Sequence, residues 1–131
     1  MASELRVNTL KDASGNNSIA TSFVAGGSAK VWIDKPQNGA SINDSFNVST
    51  LDDDGTGDFG LNYTSSFSSA NYAVSGMADD GSASASSLNI DTTEGTNASG
   101  SIDLEIYYVS SSANRTNHDE RGYVTIHGDL A

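Results

Sequence analysis

Between Ser45 and Val74 the sequence alternates apolar and polar residues in runs too short for helices, and explicit turn segments cut the runs apart. Phe46, Val48 and Thr50 alternate with Asn47 and Ser49, and Phe59, Leu61 and Tyr63 alternate with Gly60 and Asn62. A period of two is that of a half-buried strand. Asp52 to Asp58 lies between the runs and reads DDDGTGD. Aspartate and glycine accept positive φ or hydrogen-bond their own backbone, so the two runs are expected to fold back as a hairpin. Tyr72 and Val74 continue the pattern as a third strand.

The rest of the chain has the same grammar. Ala29 to Ile33 is a strand holding the single tryptophan, Trp32, which its place between Val31 and Ile33 suggests for the core or a subunit interface. Lys35 to Gly39 closes it as a turn. Leu88 and Ile90 mark a short strand, and Tyr123 to Ile126 the last one. The cleanest alternation sets Ile102, Leu104, Ile106 and Tyr108 against Asp103, Glu105 and Tyr107. Two polar stretches, 78–87 and 110–122, read as long exposed loops. No segment of helix length combines apolar periodicity with caps. The expected fold is all-β, a single antiparallel β-sandwich of about seven strands over residues 29–131.

Residues 1–24 form a unit of their own. Leu5 and Val7 alternate with Arg6 and Asn8, Asp12 to Asn17 has turn chemistry, and Ile19 opens a second run. The apolar side chains Leu5, Val7, Leu10, Ile19 and Phe23 are too few to form a core, and two strands alone bury too little to be stable. The unit therefore needs a surface, in another copy of the chain or in a different protein; its alternating run followed by Ser14-Gly15-Asn16-Asn17 resembles openings of phage fibre proteins, which implies an extended N-terminal attachment arm. The alternative is a strand added to the domain's own sheet. Gly26 and Gly27 are expected to separate the arm from the strand that begins at Ala29.

Several strings of this sequence resemble a small domain that recurs in tail-fibre-like virion proteins of bacteriophages, many from aquatic hosts. They are Ser45-Phe46-Asn47-Val48-Ser49, Asp54-Gly55-Thr56-Gly57-Asp58, Asn62-Tyr63-Thr64 and Ala70-Asn71-Tyr72-Ala73-Val74. Ala29 to Ile33 matches the opening of that domain, and Tyr123 to Asp129 is similar to its closing strand. The resemblance implies a structural protein at the surface of a phage particle, trimeric, and a fibre-type component of the tail or its tip. A capsid decoration or knob protein is the alternative within the same particle, and a carbohydrate-active tailspike fragment is a more distant one.

Composition narrows the partners. At 131 residues the chain is one domain's worth, and without cysteine it has neither disulfides nor thiolate metal ligands. A net charge of −11 disfavours nucleic acid and anionic membrane surfaces. The first residues, MASELRVNTL, contain no apolar run of signal-peptide length, and no stretch is apolar for long enough to cross a bilayer, so neither a cleaved leader nor membrane insertion is expected. The expected partners are a homotrimer of the chain itself, other proteins of the tail or capsid, and a host surface glycan or protein.

Two constellations have the residue types for chemistry. Aspartates followed by glycine in Asp52 to Asp58 resemble a calcium loop, but counting from Asp52 the twelfth residue is Tyr63, where a bidentate glutamate would be needed. A hairpin turn is the simpler reading. His118, Asp119, Glu120 and Arg121 mix an imidazole with carboxylates, yet neither a nucleophile elbow nor a His-x-x-x-His pair accompanies them, and a solvated loop is the simpler reading there too. His127 is expected to be a packed or interface histidine. The sequence thus points to a non-enzymatic protein with no cofactor or metal. If it meets a host, the loops carrying Asp79, Asp80, Arg115, His118, Asp119 and Arg121 are the expected contacts.

Overall fold

The computed structural model describes residue 3 and residues 5–79, 86–92 and 97–131. Its N-terminal part is a hairpin of β1 (Thr9–Lys11) and β2 (Ser18–Ala20) followed by a short helix, α1 (Thr21–Gly27). Asp12 ties the hairpin turn, accepting from the Asn16 backbone N–H at 3.0 Å and from the Asn17 amide at 2.7 Å. The helix is a departure from expectation: Gly26 and Gly27 end it rather than forming a free spacer. It has seven residues, no side-chain cap and no buried residue, so no apolar stripe announces it.

The remaining strands form two antiparallel sheets. One runs β4 (Asp44–Phe46), β3 (Val31–Lys35), β11 (Gly122–His127) and β7 (Ala73–Ala78). The other is built on β9 (Ser101–Val109), with β6 (Asp58–Tyr63), β5 (Val48–Gly55), β8 (Ser86–Ile90) and β10 (Arg115–Asn117). Leu104 and Glu105 pair with both β6 and β8, while Tyr107 and Tyr108 pair with both β8 and β10. Thus β8 occupies one edge of β9, and β6 and β10 share the other end to end. Val31, Ile33, Val124 and Ile126 from the first sheet meet Leu51, Phe59, Leu61, Ile102, Leu104 and Ile106 from the second in one core. This is a β-sandwich-like, all-β fold.

Among the described residues nine strands stand in the two sheets, where about seven were expected. One added strand comes from the Ser45–Thr50 run. Asn47 takes φ 60° and cuts that run in two, sending Phe46 to pair with Trp32 in one sheet and Val48 to pair with Tyr63 in the other. The crossing is fixed by the Asn47 side chain, whose amide N–H donates to Ser65 O at 3.0 Å and whose oxygen accepts from Ser65 N–H at 2.7 Å. The second is β10, a three-residue edge strand inside what reads as the loop 110–122. It has no apolar alternation to betray it.

Candidate functional site

The turn between β5 and β6 is where the loop residues 118–120 act. Gly55 pairs with Asp58, leaving Thr56 and Gly57 as a two-residue connection. Gly57 has φ +72°, and a Cβ there would collide with Ile106 O and stand 2.6 Å from His118 N, so glycine is required on both counts. Its carbonyl accepts from Ile106 N–H at 2.6 Å, and its N–H donates to Asp119 Oδ1 at 2.7 Å. The Glu120 carboxylate is buried with His118 Nδ1 3.1 Å away, and the His118 ring stands edge-on to Tyr108. Residues 118–120 are therefore a clamp that seats the hairpin turn against β9. The expectation of a solvated loop fails here because the gap between β6 and β10 along β9 must be filled.

Arg115 lies on the outer side of the β9 sheet, paired with the buried Glu105 and stacked 4.3 Å over the Tyr107 ring. Arg121 and Asp79 come together elsewhere, at the end of β11 and β7, where the Asp79 N–H donates to Arg121 O at 2.8 Å. The Arg121 guanidinium forms a two-pronged bond with Asp34, 2.7 and 2.5 Å, which holds the Asp34 carboxyl below the usual carboxylate range, and it also lies over the Tyr123 ring. Asp80 lies outside the described residues. Of the described loop residues, Arg121 and Asp79 meet at the end of β11 and β7, whereas Arg115, His118 and Asp119 belong to the β9 sheet.

Carboxylates gather instead on the outer face of the β5–β6–β9 sheet. Asp52 pairs with Gly60, and Gly60 with Asp103, while a register shift between Asp53 and Gly55 lets Asp54 join them. Asp52 also accepts from the Asn62 amide at 2.6 Å. Burial, and then the like charges of Asp54, Asp91 and Asp52, raise the Asp103 carboxyl above its ordinary value. Tyr63, the twelfth residue from Asp52, is buried in the core against Phe67 and Tyr72. No set of three or more metal-ligating side chains is placed around a common point among the described residues.

The feature that sequence reasoning missed is the outer face of the β4–β3–β11–β7 sheet. Trp32 pairs with Phe46 and Thr125, and Tyr123 with Asp34 and Met77, so these side chains share one face, opposite to the core-facing Val31, Ile33, Val124 and Ile126. Trp32 is therefore not a core residue. Met77 is 73% exposed and Phe46 52%, with Trp32 and Tyr123 each more than a third exposed. Between Trp32, Met77 and Tyr123 the face dips into a shallow, open depression of about 710 Å³ whose rim includes Asp34 and Asp79. The available signal was parity: Val124 and Ile126 commit β11 to the core on even positions, which sends Tyr123 outward and, through pairing, Trp32 with it.

A second uncovered apolar group is N-terminal. Leu5 is 80% and Phe23 72% exposed, and Val7, Leu10 and Ile19 also face solvent. The unit is held to the sandwich through polar contacts of its end: Lys30 Nζ donates to Ala25 O and to Ser28 O, and His127 Nδ1 lies 3.1 Å from Gly27 O. Compared with protein-family models, curated proteins and solved structures, the chain matches none.

Proposed function

We propose that this chain is a non-enzymatic structural protein of a bacteriophage particle: a fibre-type component of the tail or tail tip, assembled as a homotrimer at the virion surface. The observation that carries this reading is the N-terminal unit, whose apolar side chains are left uncovered by the described residues of their own chain. A segment of this kind is made to be covered by something else. The strings that carry the phage resemblance also have physical roles: Asn47 makes the sheet crossing, Gly57 the clamped turn, and Tyr63 and Tyr72 join their hydroxyls at 3.3 Å. They are the residues a shared fold would need. Several acidic and imidazole groups hold strands together, Asp119 on Gly57, Glu105 on Arg115 and Asp34 on Arg121, with Glu120 beside His118. On this reading the arm is covered by a neighbouring chain within the particle, and the outward loops meet a host glycan or protein.

Mapping the polypeptide in intact phage particles tests it. Antibodies against the sandwich should label the tail or its tip. Labelling spread over the capsid would assign a decoration protein instead, and absence from purified particles would reject both. Release of oligosaccharides from host envelope polysaccharide would overturn the non-enzymatic reading in favour of a tailspike fragment.

A further inference from the structure

We infer that the apolar outer face of the β4–β3–β11–β7 sheet receives the N-terminal hairpin and helix of a second copy of this chain. The inference deepens the proposed trimer and rests on it. Two groups of apolar side chains are left uncovered by the described residues of their own copy, Trp32, Phe46, Met77 and Tyr123 on the face and Leu5, Val7, Leu10, Ile19 and Phe23 on the N-terminal unit.

Charge selects the occupant. Residues 1–27 contain Glu4, Asp12, Arg6 and Lys11 and are neutral, so the whole net charge of −11 resides on residues 28–131. Two sandwiches meeting face to face would set like charge against like charge. The hairpin brings no such penalty, and Lys11, next to Leu10 on β1, offers a cation to the rim carboxylate Asp79. Within one copy the end of helix α1 reaches only the near end of this face, where His127, on the same side of β11 as Tyr123 and Thr125, lies 3.1 Å from Gly27 O. Lys30 and His127 hold the end of the unit beside the start of β3, leaving Phe23 and Leu5 in solvent and Met77 uncovered at the far end of the sheet. A hairpin-on-face contact is heterologous, and three such contacts close into a ring if the rotation allows.

The absence of cysteine makes the test direct. Phe23→Cys and Met77→Cys are both placed at exposed side chains, so each variant should keep the fold. The two are mixed in equal amounts and oxidised mildly, with Phe23→Cys mixed with Ser49→Cys, a site on the other sheet, as the control. Thiols apposed by the assembly react as if at roughly millimolar concentration, so from micromolar protein the mixed Phe23–Met77 disulfide should form on the order of a hundred times faster than the control. The emission of Trp32, the only tryptophan, should shift to shorter wavelength as the protein is concentrated, and Phe23→Ser should weaken that shift.

An oligomer that persists by light scattering without the mixed disulfide would overturn the inference while leaving the trimer standing. Predominant Phe23–Phe23 disulfides would show that hairpins pair with one another and would overturn it too. A neutral oligosaccharide that shifts Trp32 emission in the dilute monomer would make the face a sugar platform instead. None of these outcomes bears on whether the protein is found in phage particles, which the virion mapping decides separately.

Discussion

At the scale of single residues, the sequence lays its carboxylates where a strand register, not a loop, decides their fate. Asp52, Asp54 and Asp103 surround the space above Gly60, which has no side chain to separate them. Asp103 has its pKa raised in the folded protein by burial and by its neighbours' charge. In the window between the unfolded value, about 3.9, and the higher folded one, the native state binds more protons than the unfolded state, so stability falls as pH rises through that window. The protonated form's contribution is complete below the unfolded value and gone above the folded one. Asp103→Asn should therefore stabilise the protein at neutral pH, by roughly the 0.2–1 kcal/mol that a cross-strand charge pair is worth. The gain should shrink toward acid. Denaturant titrations at several pH values read this directly. The gain should be the same in calcium and in chelator; a variant less stable than the parent only in calcium would mean that these aspartates hold a cation.

At the scale of elements, Asn47 decides which sheet each half of the central run joins. Asparagine tolerates the left-handed conformation that other residues avoid, and here its side chain also makes two bonds to Ser65. Asn47→Ala should lose both advantages and cost about 2–3 kcal/mol, whereas Asn47→Gly keeps the backbone freedom and should cost about 1–2 kcal/mol. Urea unfolding of the two variants checks the order; equal losses would mean that the backbone conformation contributes nothing. This residue also marks the limit of what was legible. The strands β6, β9 and β11 could be read because each has a core-facing side of uniformly apolar residues. The alternation of Phe46, Val48 and Thr50 suggests one strand, and only the pairing partners reveal that its first half belongs elsewhere. Helix α1 and strand β10 were invisible because neither buries an apolar side chain. The clamp of His118, Asp119 and Glu120 was illegible for a different reason: its partner, Gly57, is 62 residues from Asp119. The apolar neighbours of Trp32 suggest the core or a subunit interface, and strand parity excludes the core.

At the scale of the whole molecule, the chain divides by where its apolar surface goes. Every residue of the core cluster lies between Val31 and Ile126, and those twelve side chains come from both sheets and the Phe67 turn. The N-terminal unit contributes none of them, and its apolar residues remain in solvent. Polar contacts at the surface join its end to the sandwich, Lys30 with Ala25 O and His127 with Gly27 O. Exposed polar contacts of this kind change stability by no more than about 0.5 kcal/mol when removed. A chain beginning at Ser28 should thus unfold cooperatively at nearly the same denaturant concentration as the full-length protein. It should also differ in assembly, because it lacks the neutral segment that can approach a sandwich of charge −11 without repulsion. Light scattering should find it monomeric at concentrations where the full chain is trimeric. Marked destabilisation would show that the unit is an integral part of the sandwich. Retention of the trimer would place the subunit interface on the sandwich itself, despite its charge.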